Sequence, residues 1–186
     1  RCVVNNAAYD YISRCGSDDM DIAVPPSDLR LWIFGGMEVS SAVMFHHGAF
    51  VSNDLIQAYL GNYYPLLELF LPDITIGTKG DESYAAIYST TCHELAHASH
   101  FSKVGVSYWN HYILYIIETF IGSGGMTYGD GSGKTAGYCE IGEMWAYYLE
   151  SKMYKERYGG SFPTFGTSYW FYPQIFRFLD DRGLTQ

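Results

Sequence analysis

The sequence predicts a small α+β domain, with a few strands first and helices after them. Three observations lead there. The first half carries short apolar runs broken by glycine and proline, which is strand punctuation. The second half carries longer segments whose apolar residues recur at helical spacing. Hydrophobic residues make up 48% of 186, enough for one core, so residues 1–186 are expected to form a single domain.

Taken in order, the first 25 or so residues read as irregular and end at Val24-Pro25-Pro26. Leu29 to Phe34 reads as a strand, Gly35-Gly36 breaks it, and Val39 to Phe45 reads as a second strand. Ser52 or Asn53 is placed to cap a helix through Leu55, Ile56, Tyr59 and Leu60. Pro72 stops that helix before a short strand from Asp73 to Gly77. Beyond the Thr78-Lys79-Gly80 turn, Asp81 is the expected cap of a long helix reaching Phe101 or Lys103. Trp109 to Ile121 reads as an apolar helix, with Trp109, Tyr112, Ile113, Ile116, Ile117 and Phe120 as its core stripe. Gly122 to Gly137 holds seven glycines and reads as a flexible loop. A further helix runs from Gly137 or Tyr138 to about Tyr154, and a last short one from Tyr172 to Asp181.

The formal net charge is −9, and no cluster of Lys or Arg is placed to track a phosphate backbone, which excludes nucleic acid as the expected partner. The longest apolar run, Tyr59 to Leu71, is interrupted by Gly61, Asn62, Pro65 and Glu68, too short and polar for a membrane span. Aromatic residues reach 18%, and 18 of them are tyrosines. Tyrosine suits clefts because its body is apolar and its tip polar.

The chemistry concentrates at His93-Glu94-Leu95-Ala96-His97. Residues four apart on a helix stack on one face, so His93 and His97 can reach one tetrahedral zinc ion. Glu94 sits one step round the helix, where it serves as a general base rather than a ligand. Small Ala96 and Ala98 leave room beside that face.

His-Glu-x-x-His on a helix, after strands and before another helix, resembles the zincin superfamily of metallopeptidases over residues 30–155. The metzincin branch continues with a glycine and a third histidine at positions held here by His100 and Lys103, so that branch is excluded. The gluzincin branch draws its third ligand from a later glutamate in a Glu-x-x-Ala setting, which Glu143-Met144-Trp145-Ala146 matches. The resemblance therefore implies a zincin-like domain, a small mixed sheet followed by the active-site helix and further helices. It also implies one catalytic zinc ion (Zn2+) on His93, His97 and Glu143, with Glu118, Glu140 and His100 as competing third ligands.

Two histidines and one carboxylate leave a coordination position open for water, the pattern of a catalytic site. The resemblance further implies an oxyanion donor, for which Tyr138 is the first choice and Tyr147 and His111 the alternatives. By the same resemblance the Val39 to Phe45 strand would pair with an extended peptide. The expected activity is zinc-dependent hydrolysis of peptide bonds in a peptide or protein substrate. The alternatives are a non-catalytic binding or envelope module, or a zinc amidase acting on a non-peptide substrate.

Other signals carry less. Gly129 to Thr135 resembles a phosphate-binding loop, but the spacing would need a glycine where Tyr128 stands. The same loop lacks the acidic ladder of a calcium site. His46 and His47 are adjacent and would point to opposite faces of a strand, so ordinary packing is expected of both. Cys92 is expected to be a buried thiol. The four cysteines allow three pairings. A Cys2–Cys15 pair would close a short loop, and with the start on Arg1 it gives the expectation of an extracytoplasmic, bacterial protein released from a signal or anchor. Four free thiols are the alternative.

Overall fold

A computed structural model describes residues 1–17, 20–49, 71–78, 83–160 and 170–183. Among them lie seven elements: α1 (Cys2–Arg14), β1 (Leu31–Phe34), β2 (Ser41–Ala42), β3 (Ile74–Gly77), α2 (Tyr84–Gly122), α3 (Ala136–Tyr158) and α4 (Gln174–Asp180). The result is a small mixed α/β fold of four helices and a three-stranded sheet. The expected helix after Asn53 and the expected cap Asp81 lie outside the described residues.

The sheet runs β1-β3-β2, with β1 parallel and β2 antiparallel to the central strand. Central β3 buries Ile74 and Ile76 completely on one face, while Thr75 on the other face is half-buried. The second strand is far shorter than Val39 to Phe45. Only Ser41 and Ala42 pair with β3, because Met44 adopts φ 62° and turns the chain away. Asp73 fixes that turn. Its buried carboxylate accepts from the Arg30 and His47 amides at 3.0 and 3.2 Å.

The first 14 residues are helical, not irregular. Val4, Ala7 and Tyr11 recur at helical spacing and are buried, and Tyr11 donates to Ser99 Oγ on α2 at 3.0 Å. Cys2 and Cys15 therefore stand at opposite ends of a 13-residue helix, about 20 Å apart along its axis. A disulfide needs Cα atoms within about 7 Å, so that pairing is excluded and all four cysteines are free thiols. With it goes the chemical support for an oxidising compartment.

Helix α2 starts at Ser83, whose hydroxyl accepts from the Ala86 amide at 3.1 Å. It is two helical arms joined at Gly105, where φ 78° and ψ 175° leave the helical region. Only glycine adopts that conformation without strain. In a straight helix Tyr112 would sit about 22 Å along the axis from His97. Instead the two rings are 5.8 Å apart, so the bend folds the second arm back onto the first. Trp109 is fully buried in that fold and donates to the Val43 carbonyl at 3.2 Å, tying the end of β2 to the helices.

The glycine-rich loop is pinned rather than loose. Tyr115 and Trp170 both donate to the Tyr128 carbonyl, at 3.0 and 2.9 Å, and Thr119 donates to Thr127. At Gly131, with φ 79°, a Cβ would stand 2.7 Å from the Trp170 ring. The loop closes over the second arm and delivers the chain into α3, which packs along α2 in the largest interface among the described elements. No helix among the described residues is long and apolar enough to cross a membrane.

Candidate metal centre

The first arm of α2 and the facing stretch of α3 bury four ionisable side chains together: His93, Glu94, His97 and Glu143. His93 and His97, one turn apart, bring their Nε2 atoms to 3.1 Å. Glu143 sets Oε2 3.5 Å from His93 Nε2 and Oε1 3.7 Å from His97 Nε2. Two donors on one tetrahedral zinc, each about 2.0–2.1 Å from it, stand about 3.3–3.4 Å apart. The three separations bracket that value.

Hydrogen bonding inside the cluster does not close without a cation. His93 Nδ1 lies 3.0 Å from Glu150 Oε2, and a carboxylate only accepts, so Nδ1 carries a proton, and once the ring is neutral Nε2 is the nitrogen with the lone pair. His97 can donate one N–H towards it, but its buried Nδ1 has no partner. Glu143 Oε2 is also buried and without a hydrogen bond. With both rings neutral and their Nε2 atoms unprotonated, two imidazoles and a carboxylate converge in a dry space, an arrangement costly by several kcal/mol when unpaired and suited to a divalent cation. Zinc takes such a donor set of two nitrogens and one oxygen, as other divalent first-row metals do, and these three residues are the group among the described residues that could hold a metal.

Each ligand is itself held. Glu150 takes the His93 proton with one oxygen, and its other oxygen accepts from Ser89 at 2.6 Å. Tyr112, carried back by the Gly105 bend, donates to Glu143 Oε1 at 2.6 Å. Such partners fix the tautomer and rotamer of a metal ligand. Reading Tyr112 only as a core residue missed its hydroxyl. Glu150 was also missed, although it lies two turns from Glu143 on the same face of α3.

The electrostatics follow from the burial. For Glu143, burial opposes the charge, but His97, His93 and the Tyr112 hydrogen bond outweigh it and hold its carboxyl at about 2. Burial draws the His97 imidazole down to about 3, so it is neutral. For His93 burial acts the same way, but Glu143 and Glu150 overcome it and raise its pKa well above the usual value. Glu94 is different. Burial pushes it up to about 8, with Glu143 and Glu150 adding to the effect and His93 opposing it. Its carboxylate makes no hydrogen bond among the described residues, and a cation between the ligands would draw its pKa down towards neutrality.

The competing third ligands fall elsewhere. Glu118 is exposed and Glu140 only half-buried. His100 packs against Tyr108 and Trp109 across the Gly105 bend. Tyr138 stacks with Tyr108 and His111, at 4.6 and 5.0 Å between ring centres, and none of its contacts reaches the cluster. Tyr147, the alternative, stands edge-on to His93 at 4.7 Å. Burial with Glu143, Tyr147 and Glu94 nearby raises the Tyr128 phenol, which places it beside the cluster as well. His46 and His47 pair with Asp28 and Asp73. Cys92 is the buried thiol expected. Comparison with protein-family models, with curated proteins and with solved structures found no match to this chain.

Proposed function

We propose that the chain is a zinc-dependent metallopeptidase of the gluzincin type, with His93, His97 and Glu143 as ligands and Glu94 as general base. The observation that carries this reading is the convergence of three donor atoms from two helices, beside a buried carboxylate that is left free. A structural zinc site closes its shell with four protein ligands. Here three converge, and the neighbouring Glu94 has a proton affinity suited to moving protons near neutral pH.

Bound zinc supplies Lewis acidity, polarising a carbonyl and making water acidic enough to react at neutral pH. Glu94 removes the proton from the attacking water and passes it to the departing amine. Glu150 keeps His93 in the tautomer that offers Nε2, and Tyr112 keeps Glu143 turned towards the histidines. Tyr147 is favoured over Tyr138 as the hydroxyl that steadies developing negative charge, because its ring abuts His93 while the Tyr138 ring packs on Tyr108 and His111.

The expected role of the second strand is supported in reduced form. Strand β2 lies at the edge of the described sheet, and the chain beyond it is tied at Val43 to Trp109, which packs on His97 at 5.9 Å. A peptide paired along this edge would run close to the metal ligands, by backbone bonds that select little for sequence.

Metal analysis of the purified protein tests the reading, followed by peptide-library cleavage with chelation and zinc restoration. One zinc per chain is expected, lost in Glu143→Ala at low zinc and partly regained in excess. A protein that binds no zinc, or binds it fully in Glu143→Ala, would not be this enzyme.

A further inference from the structure

We propose, on the strength of the peptidase reading, that Tyr128 contacts a bound peptide at the metal centre and that Trp170 is its positioning residue. The glycine-rich loop that carries Tyr128 has neither the spacing of a phosphate loop nor the acids of a calcium loop. Its backbone is nonetheless held more closely than a plain connection needs.

The hold is a clamp of two rings. Tyr115 comes from the second arm of α2 and Trp170 from the segment leading into α4, with ring centres 6.4 Å apart. Loop glycines lie flush on both. A Cβ at Gly131 would stand 2.7 Å from the Trp170 ring, and one at Gly133 would stand 2.8 Å from the Tyr115 ring. From these rings an indole N–H and a phenol O–H converge on one acceptor, the Tyr128 carbonyl, at 2.9 and 3.0 Å. A carbonyl has two lone pairs, so two side-chain donors fix the plane of that peptide as well as its position. The plane constrains where the Tyr128 side chain points.

Its neighbours give the direction. The Tyr128 ring packs on Phe171 at 5.2 Å, and Phe171 meets Tyr147 at 6.5 Å. Tyr147 in turn stands edge-on to His93 at 4.7 Å. Burial, and after it Glu143, Tyr147 and Glu94, raise the Tyr128 phenol. Burial and Glu143, followed by Tyr128, raise the Tyr112 phenol in the same way, so both phenols lie within the field of Glu143. The His93 side chain is 11% exposed, against 4% for His97 and 2% for Glu143. The metal centre therefore opens on the His93 side, where Tyr147 and, beyond Phe171, Tyr128 stand. Half-buried Tyr128 brings a hydroxyl to that side from outside the two ligand helices. Trp170 packs on Tyr115 and Phe171 and acts through the loop it clamps.

The experiment titrates zinc into the metal-free chain with its tyrosines labelled at 13Cζ, the Tyr128 resonance being the one lost in Tyr128→Phe. Zinc is expected to shift that resonance and leave exposed Tyr9 in place. Trp170→Phe keeps a ring against Gly131 but loses the N–H. In it the shift should shrink, and the amides of residues 129–133 should exchange about two- to tenfold faster. Tyr115→Phe removes the other donor from the same carbonyl and should act alike, which keeps the test open if one variant does not fold. On a cleaved peptide, Tyr128→Phe and Trp170→Phe should each lower kcat/KM by about two- to tenfold at unchanged zinc content. Together they should match Tyr128→Phe alone within about twofold, because Trp170 acts through Tyr128. Zinc binding that leaves the Tyr128 resonance in place, or a Trp170→Phe effect that persists in full without the Tyr128 hydroxyl, would overturn the proposal and spare the peptidase reading. A chain that binds no zinc overturns both.

Discussion

Two clusters in this protein have nearly the same ingredients and opposite character. One holds His93, His97, Glu143 and Glu150; the other holds His46, His47, Asp28 and Asp73. In the second, both nitrogens of His47 face acids: Nε2 is hydrogen-bonded to Asp28 at 2.9 Å, and Nδ1 lies 3.0 Å from Asp73 without hydrogen-bond geometry, held there by charge. In the first, one nitrogen of His93 is matched by Glu150, and the remaining lone pairs face one another. Residue types alone do not make a metal site. What separates the two is convergence: positions four apart on a rigid helix aim together, whereas adjacent His46 and His47 at a turn share exposed Asp28, and His47 also meets Asp73. The first arrangement could hold a cation, and the second fastens a loop to a sheet.

The largest expected effect lies in the first cluster. Glu94→Gln keeps the size and hydrogen-bonding reach but removes the basic carboxylate, so turnover of a peptide substrate should fall by about 100- to 10,000-fold. Zinc content should stay near that of wild type, because the three ligands remain. Near-normal turnover at full zinc occupancy would mean that Glu94 is not the base and that burial alone explains its raised pKa.

Next in size is the helper carboxylate. Glu150→Ala should weaken zinc binding by about 10- to 100-fold while leaving all three ligands in place, read by competition with a chromophoric chelator. The equivalent change at Asp28 should leave zinc affinity untouched, since that cluster offers no converging set. If the two substitutions acted alike, the contrast between the clusters would be lost.

A smaller effect is expected at the bend that brings Tyr112 to Glu143. Gly105→Ala forces a side chain into a conformation only glycine holds easily, costing about 1–3 kcal/mol of stability, measurable by urea unfolding. Zinc affinity should fall along with stability, because Tyr112 loses its register. Destabilisation with unchanged zinc binding would mean that Glu143 needs no such support.

How much of this was legible follows the same physics. The long helix, its neighbour α3 and the pairing of Glu143 with the two histidines were readable because helical periodicity is strong over many turns. Helix α1 was missed, although Val4, Ala7 and Tyr11 carry the period, because Arg1 offers no side-chain cap and the proline-rich stretch after it coloured the whole segment. The second strand was overextended because Ala42 to Phe45 continues as an unbroken apolar run, and a positive φ at Met44 leaves no mark in composition. Tyr112 and Tyr138 could not be ranked from sequence, since which of 18 tyrosines faces a cluster depends on the bend at Gly105. A glycine between two apolar helices marks a break but not its angle.

The smallest expected effect belongs to the fastening cluster and has a definite sign. Burial lowers the His47 pKa, but the charges of Asp73 and Asp28 and the hydrogen bond to Asp28 overcome it, so the folded value lies above that of the unfolded chain. A group raised in the folded state contributes its stability fully below its unfolded pKa, about 6.5, and loses it as pH rises through the folded value. Protonated His47 holds Asp28 and Asp73 together, while His46, 3.4 Å from Asp28, lies at the exposed end. Raising pH through the neutral range should therefore destabilise wild type relative to His47→Gln, whose amide does not titrate. Urea unfolding of both proteins at several pH values from mildly acidic to mildly alkaline measures the difference. The gap should narrow in high salt, because Asp28 is exposed. A gap that widened with pH in favour of wild type would require His47 to be buried neutral, and the cluster would then be one of ordinary hydrogen bonds, without the charge that distinguishes it from the metal centre.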